Sequence, residues 1–325
     1  MLFVNNTQTD PYLNLALEEY LLRQAETEQA LLLFYINEPA VIIGRNQNTL
    51  EEIDPDFIKE KGIHVVRRLS GGGAVFHDLG NLNFSFITPG REDLHNFAKF
   101  IEPVVAVLRQ LGVAAELRGK SDIFAEGKKI SGNAQYVAQQ RMFSHGTILF
   151  DTDIPTMLKA LNPRQVAIES RAVQSVRNFV TNIRELLAEE MDIHAFRQRL
   201  LAGIFTGGSV VEYELNAADW TEVEKLAAER YRTWAWNYGR SPHFNIRHQK
   251  DLPGGKVDVR LQVENGYIQS CKIYGSFSGR QPIAELEARL TGLRYDRNGL
   301  VDVLTQIELS QYLGDVETAA FIALF

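Results

Sequence analysis

A single cysteine, Cys271, serves all 325 residues. The chain therefore forms no internal disulfide and no thiolate metal cluster, which excludes a small secreted, stapled scaffold. Excess positive charge is missing as well. Against 41 Asp+Glu stand 34 Lys+Arg, a net −7, whereas a general nucleic-acid binder needs surplus cations to neutralise phosphates. No apolar run approaches the roughly 20 residues that cross a bilayer. The N-terminal MLFVNNTQTDPY has no basic n-region and only a short apolar stretch, so no secretory signal peptide is expected. Internal repeats and low-complexity tracts are absent. None of the 7 histidines has H-E-x-x-H or comparable spacing, which argues against a dedicated zinc site. What is present is ordinary apolar content, 45%, sufficient for large cores. At roughly 150 residues per domain the length suggests two domains. The expectation is a soluble, cytoplasmic, mixed α/β protein with no membrane and no nucleic-acid partner.

Local signals divide the chain. Asp10-Pro11 reads as an N-cap and first-turn proline ahead of Leu13, Leu17, Tyr20 and Leu21 at helical spacing. Ala30 to Asn37 and Val41 to Gly44 read as strands, and Asp54-Pro55 opens a short helix that Gly62 ends. A helical stripe over Asp93 to Leu111 includes Leu94, Phe97, Ile101, Val104 and Leu108. Strand-like pieces follow to Phe150, then helical patterns from Thr181 to Ala228. Trp234 and Trp236 lie one strand pleat apart and read as core. Loop residues at Tyr238 to His243 mark a composition shift. Beyond it Val257, Val259, Leu261 and Val263 alternate with Asp258, Arg260 and Gln262, one face buried and one solvated. Asn265-Gly266 reads as a hairpin turn, and helices are expected near Pro282 to Leu290 and Val301 to Leu313. The fold class is α/β (α+β). A large domain of mixed sheets flanked by helices spans 1–245, and a small α+β domain spans 246–325.

Chemistry concentrates in Arg67-Arg68-Leu69-Ser70-Gly71-Gly72-Gly73-Ala74-Val75-Phe76-His77-Asp78. Consecutive glycines let bare backbone N–H groups close on an anion, and adjacent guanidinium groups suit phosphate or carboxylate. A plain glycine hairpin is the competing reading. A dinucleotide-binding turn is rejected, because a helix must follow its glycines, whereas Gly80 to Thr88 reads as a strand. In that strand Asn81, Asn83 and Ser85 form a polar face, a pocket wall or, on pattern alone more simply, a solvated surface. Gly119-Lys120-Ser121 lacks the first P-loop glycine, since position 114 is Ala114. Lys129 falls on a short strand between the Glu126-Gly127 turn and a second tight point at Gly132. There it is either a solvated strand charge or a compact cation for a carboxylate or α-phosphate. His145 reads as a satisfied histidine near a turn. Cys271 shares strand parity with Ile273, which suits a small buried hydrophobe.

R-R-x-S-G-G-G-A-V-x-H-D-x-G-N (Arg67 to Asn81), G-K-K-I-S-G-N-A (Gly127 to Ala134) and H-G-T-I-L (His145 to Leu149) together resemble lipoate–protein ligases. The resemblance continues through Leu161-Asn162-Pro163, Ser175 to Asn182 and Trp236-Asn237-Tyr238-Gly239 into the C-terminal domain. It implies an ATP-dependent ligase. Lipoate, or octanoate, is activated on ATP with Mg²⁺ to an adenylate, releasing pyrophosphate. The acyl group then passes to a lysine of apo lipoyl domains of 2-oxo-acid dehydrogenase complexes or of the glycine-cleavage H protein. By motif, Arg68, Gly73, Ala74, Val75 and Phe76 contact ATP or the adenylate, and Lys129 bridges lipoate and the α-phosphate. Ser70, Gly71, Gly72, His77, Asp78, Asn81 and Asn83 line the pocket, with Asp122 a candidate Mg²⁺ contact. Lys120-Ser121-Asp122 departs from the family's usual R-N-D. The alternatives are an octanoyl or lipoyl transferase of the same fold and a non-catalytic lipoate- or nucleotide-binding homologue. A cysteine thioester transferase is disfavoured by the position of Cys271 in the C-terminal domain.

Overall fold

Asp10 accepts hydrogen bonds from the backbone N–H groups of Tyr12 and Leu13, and Pro11 then opens helix α1 (Pro11–Gln24), where its missing N–H leaves no partner wanting. The computed structural model describes residues 1–161, 179–206, 208–238, 246–264, 267–295 and 297–325. The motif residues Asn162-Pro163, Ser175 to Asn178 and Gly239, the loop 240–243, the boundary near 245 and the Asn265-Gly266 turn lie outside the described residues.

The strands of the first half are β1 (Leu2–Val4), β2 (Leu31–Ile36), β3 (Ala40–Ile43), β4 (His64–Arg67), β5 (Val75–His77), β6 (Asn81–Pro89), β7 (Ala115–Arg118), β8 (Asp122–Ala125), β9 (Lys128–Ala138) and β10 (Arg141–Leu149). Seven of them form one mixed sheet in the order β1-β2-β6-β10-β9-β8-β7. Only its β1–β2 pairing is parallel. A second sheet has the order β4-β3-β5.

The described residues group into two compact units. One comprises Met1–Ile42, Ile53–Val66 and Val75–Thr233; the other comprises Ile43–Glu52, Arg67–Ala74 and Trp234–Phe325. In the first unit the apolar face of the large sheet packs Phe84 and Phe86 against Phe100, Ile101 and Val104 of helix Phe97–Gln110 and Phe196 and Leu200 of helix Ile193–Ile204. Each such buried side chain contributes roughly 1.5–3 kcal/mol. The expected helix over Asp93 to Leu111 starts late, at Phe97. His95 takes a left-handed φ of 71°, which breaks the ladder and leaves Leu94 outside it.

The second unit carries β11 (Ile246–Leu252), β12 (Gly255–Glu264) and β13 (Tyr267–Gly275), an antiparallel sheet in chain order. Val257, Val259 and Leu261 are buried as the alternation requires, but so are Asp258 and Arg260, so the opposite face is not simply solvated. Burial raises the Asp258 carboxyl, but its hydrogen bonds to Arg260 and Arg247 outweigh this and hold it below the usual carboxylate range. Cys271 is buried in the core with Leu261, Ile273 and Phe277. The helix expected over Val301 to Leu313 divides into Arg297–Thr305 and Ser310–Leu313. Ile307 and Leu309 are both buried, and an i,i+2 pair cannot share one face of a continuous helix. No helix among the described residues is long and apolar enough to cross a membrane.

Helix α1 also buries two carboxylates, Glu18 and Glu19. Burial pushes the Glu19 carboxyl up, but hydrogen bonds from Arg230, Tyr231 and Arg23 overcome this and lower it. A depressed folded-state value means that Glu19 stabilises the fold above the ordinary carboxylate range, and that this stability is lost as pH falls through the folded value. Glu19→Gln is expected to destabilise the protein by about 1–3 kcal/mol near neutral pH. It should also flatten part of the acid limb of stability. Urea midpoints measured across the acid range check both, and parallel curves for the two proteins would refute the assignment.

Candidate active site

The connection Arg67–Ala74 is not a hairpin. It leaves β4 and enters β5, and these strands flank β3 without pairing to each other. Its two arginines do different work. Arg67 is buried, and its guanidinium donates to the carbonyls of Gly44 (2.8 Å), Gln47 (2.7 Å), Arg45 (3.2 Å), Trp236 (3.0 Å) and Asn237 (3.2 Å) and to Thr49 Oγ1 (2.7 Å). A guanidinium committed to so many backbone acceptors is a strut that ties three chain segments together, so Arg67 does not join an anion-binding pair. Trp236 donates its indole N–H back to the Arg67 carbonyl at 2.7 Å. Trp234 and Trp236 sit on a short helix, Trp234–Asn237, and Trp234 is 70% exposed, which overturns their reading as strand core.

Arg68 bends over the glycine loop. It donates to Ser70 Oγ (3.0 Å), Gly71 O (2.6 Å) and Gly73 O (2.8 Å). Among the three glycines Gly72 alone has a left-handed φ, 91°, so glycine is required there on backbone grounds. Gly44 is required by proximity, because a Cβ would stand 2.0 Å from the Gly72 carbonyl oxygen. The second unit thus holds Arg68, Ser70, Gly71, Gly72, Gly73 and Ala74 together as one shaped loop.

The first unit holds the other expected residues. Lys129 and Asp122 form an ion pair, Nζ to Oδ2 2.9 Å, with both side chains about one-third exposed (37% and 35%). The backbone explains why. Phe124 pairs with Lys129 and Asp122 with Gly132 across a bulge between β8 and β9. Gly132 is not the tight turn anticipated: it lies within β9 and has no positive φ. What it supplies is room, since a Cβ there would lie 3.3 Å from both Cε and Nζ of Lys129. Lys129 is fixed at the main chain too, donating N–H to Phe179 O (2.7 Å) and accepting from Thr181 N–H (3.2 Å). Glu126 and Gly127 both take positive φ, 50° and 77°, the hairpin turn expected before it.

The polar face of β6 is buried, not solvated. Asn81, Asn83 and Ser85 lie at 0–1% exposure, and α1 packs over β6 and β10. Asn81 donates to Asn83 Oδ1 (2.9 Å), and Asn83 donates to Tyr35 O (3.1 Å). Asn81 Oδ1 has no partner among the described residues. Buried polar atoms without protein partners are rare and point to a ligand or water. Next to this face His145, buried in the middle of β10 and not at a turn, pairs through Nδ1 with Glu18 at 2.9 Å. Sequence reading missed the Glu18 partner. The available signal was parity: His145 and Thr147 register opposite Ser85 and Asn83, which extends one polar stripe across two strands.

His77 ends β5, where Asn37 Nδ2 meets its Nδ1 at 2.9 Å. Val75 and Phe76 pair with Ile42 and Val41. Asp78 is a brace: one carboxylate oxygen accepts from Gly80 N–H (3.0 Å) and the other from Asp153 N–H (2.7 Å). Burial raises its carboxyl above the ordinary range, against the lowering effect of those two hydrogen bonds. Among the described residues no group of three or more His, Cys, Asp or Glu is placed to hold a metal. Asp122 is the carboxylate that Lys129 meets.

The chain is similar to known proteins. Residues 10–205 match the family model of the lipoyl protein ligase A/B catalytic domain, and residues 241–325 match that of the bacterial lipoate protein ligase C-terminus. A lipoate-protein ligase of Bacillus subtilis (strain 168) is 49% identical over 100% of this chain and 99% of its own length. Lipoate–protein ligase 1 of Staphylococcus aureus (strain Mu50) is 44% identical, covering 98% of each chain. Among solved structures, P. falciparum LipL1 in complex with lipoate shares the fold, with a TM-score of 0.82 and 24% identity over 99% of this chain and 97% of that one. A bi-partite lipoate protein ligase from Thermoplasma acidophilum, described with its E2 lipoyl domain, is 29% identical with a TM-score of 0.67, covering 75% of this chain and 98% of that one. A lipoate-protein ligase A bound with ATP is 30% identical with a TM-score of 0.63, covering 73% and 98%. With a catalytic-domain match over more than half its length and a full-length relative at 49% identity, the chain belongs to the lipoate–protein ligase family.

Proposed function

We propose that the chain activates lipoate on ATP and transfers the lipoyl group to a lysine of an apo lipoyl domain. The observation that carries this reading is the Lys129 ammonium, held at 2.9 Å by Asp122 in the clearing that Gly132 leaves. In the first step a lipoate carboxylate oxygen attacks the α-phosphorus, the bond to the bridging oxygen breaks and pyrophosphate leaves. Two anions must meet, so a fixed cation at the forming bond stabilises the transition state more than the separated reactants. Lys129 serves there as a point charge on both the carboxylate and the α-phosphate. Arg68 takes up the carbonyls of Gly71 and Gly73 and so fixes the loop; by the family motif Arg68, Gly73, Ala74, Val75 and Phe76 are assigned to the nucleotide, which backbone N–H groups suit. Ser70, Gly71, Gly72, His77, Asp78, Asn81 and Asn83 are the further residues that the family motif assigns to the pocket.

In the second step the acceptor lysine's neutral ε-amine attacks the mixed anhydride. An amide forms, AMP leaves and the amine gives up a proton. Magnesium commonly binds through one or two carboxylates plus substrate phosphates. Asp122 fits that pattern as one such carboxylate, and the ion would neutralise phosphate charge when bound. The acceptors are lipoyl domains of 2-oxo-acid dehydrogenases and the H protein, in the cytoplasm. The relatives that bind ATP or are paired with an E2 lipoyl domain support these assignments. We read 1–245 as the catalytic domain and 246–325 as the accessory domain; the two family-model spans support that division. A thioester route needs a reachable thiolate. The chain's one cysteine is 3% exposed in an apolar core, which favours ATP-driven activation.

Incubation with ATP, Mg²⁺, lipoate and an apo lipoyl domain is expected to add one lipoyl group, read by intact mass. Omitting ATP should abolish the gain. Transfer from an acylated protein without ATP would support the transferase instead.

A further inference from the structure

Four buried side chains form a hydrogen-bonded line from the N-terminal segment to His77: Asn6, Asn14, Asn37 and His77, all under a tenth exposed. Amide orientations are ordinarily ambiguous, but here backbone groups of fixed polarity set Asn6 and Asn14, and Asn14 in turn sets Asn37. Gln8 N–H donates to Asn6 at 3.1 Å, so that atom of Asn6 is its oxygen. The Asn6 NH₂ then donates to Asn14 Oδ1 at 2.7 Å. The other end of Asn14 faces the carbonyls of Gln8 (2.9 Å) and Ile36 (3.2 Å), which only an NH₂ satisfies. That same NH₂ reaches Asn37 at 2.7 Å, so the atom of Asn37 it meets is an acceptor, Oδ1. Asn37 is left with its NH₂ toward His77 Nδ1, at 2.9 Å. Nδ1 accepts, and the ring proton resides on Nε2.

We propose that Asn37 is a positioning residue that holds His77 as the neutral Nε2–H tautomer, so that the ring serves lipoate activation as a hydrogen-bond donor and not as a base. The functional half of this statement rests on the ligase reading above; the tautomer does not. Protonating Nδ1 would set one N–H against another in a site with no room to turn, because the polarity of the line is anchored at Gln8 N–H, Gln8 O and Ile36 O. The local fold supports the placement. Ala40 pairs with His77 in the β3–β5 ladder, and Asn37 lies in the short link between β2 and β3. His77 therefore sits beside the residue that orients it by strand register and not by chance side-chain reach.

The test is a long-range ¹H–¹⁵N correlation spectrum of the histidine side chains, with His77→Gln identifying the His77 signals. The unaltered protein is expected to show the Nε2–H pattern near neutral pH. Asn37→Asp keeps the acceptor toward Asn14 but replaces the NH₂ by a second acceptor, so His77 should move to the Nδ1–H or doubly protonated pattern. An Nδ1–H or imidazolium pattern in the unaltered protein would overturn the proposal, and this measurement needs no substitution at Asn37. An unchanged His77 pattern in a folded Asn37→Asp variant would overturn it too. In the ligation assay the same variant is expected to lose about tenfold or more in kcat/KM, the scale of one misdirected hydrogen bond to a charged group. The expected tautomer in a protein with no ligase activity would refute the functional reading and leave the positioning intact.

Discussion

Lys129→Ala is expected to leave the fold intact and to lower lipoate-dependent ATP–pyrophosphate exchange about a hundred- to a thousandfold. Stability should barely change, because Lys129 and Asp122 are each more than one-third exposed, and ion pairs of that kind contribute about 0–1 kcal/mol. The strand itself is held by main-chain bonds to Phe179 and Thr181 that alanine retains. Activity should collapse because the step joins two anions, and removal of one preorganised positive group from such a transition state costs about 2.7–4 kcal/mol. Lys129→Arg should not restore full exchange, since a planar fork does not place a point charge where the ammonium stood. Gly132→Ala offers an independent check that leaves the charge in place. Its Cβ would stand 3.3 Å from Nζ, so the ammonium must shift by a few tenths of an ångström, and exchange should fall by less than in Lys129→Ala. A folded Lys129→Ala protein with undiminished exchange would end the role assigned to this residue.

Position and neighbours, more than residue type, separate functional from structural groups in this chain. Arg67 and Arg68 are adjacent in sequence, and both look suited to phosphate. Arg67 ends β4 and Arg68 begins the loop beyond it. One reaches the carbonyls of Gly44 and Gln47 and the other the carbonyls of Gly71 and Gly73. Asp78 and Asp122 are both carboxylates in the family motifs, one expected in the pocket wall and the other as a Mg²⁺ contact. Asp78 spends its two oxygens on backbone N–H groups, while Asp122 faces a lysine. Charge alone predicts none of these assignments.

The elements that were legible in sequence are those with a local cause. The Asp10-Pro11 and Asp54-Pro55 caps act within one turn of themselves, and Gly62 ends its helix at a φ of 64° for reasons internal to glycine. The family motifs single out Lys129 and the glycine loop because each is contiguous. What pattern reading got wrong depends on partners far along the chain. The polar face of β6 looked solvated because nothing in Asn81 to Ser85 announces that α1 covers it. Trp234 and Trp236 carried strand spacing into a helix too short to show a period. The Glu18–His145 pair spans 127 positions, and the Asn6–His77 line joins residues whose roles are invisible singly. His95, with a φ of 71°, stopped a helix that every apolar spacing around it supports.

Arg67→Met is expected to produce the opposite signature: loss of folding, with inactivity as a consequence. Methionine matches the aliphatic reach of arginine, so the test isolates the guanidinium. That group donates to the carbonyls of Gly44, Arg45, Gln47, Trp236 and Asn237. A buried carbonyl stripped of its donor costs about 1–3 kcal/mol. Gly44 O keeps the Gln47 N–H and Asn237 O keeps the Thr49 hydroxyl, so the loss falls on the carbonyls of Arg45, Gln47 and Trp236, roughly 3 kcal/mol or more together and a large share of the about 5–15 kcal/mol that separates folded from unfolded proteins. Repair by water is restricted, since Arg67 is 1% exposed and its neighbours Gln47 and Thr49 are also buried. Arg67→Lys should fall between, because an ammonium offers fewer donors and lacks the fork that meets several carbonyls at once. Urea midpoints with intrinsic fluorescence provide the measurement, aided by Trp236, whose indole N–H reports on the Arg67 carbonyl directly. A folded Arg67→Met protein of unchanged midpoint, deficient only in nucleotide binding, would return Arg67 to the anion site. Loss of stability in Arg67→Met beside its preservation in Lys129→Ala would instead separate the cation that builds the glycine loop's foundation from the cation that meets the substrate.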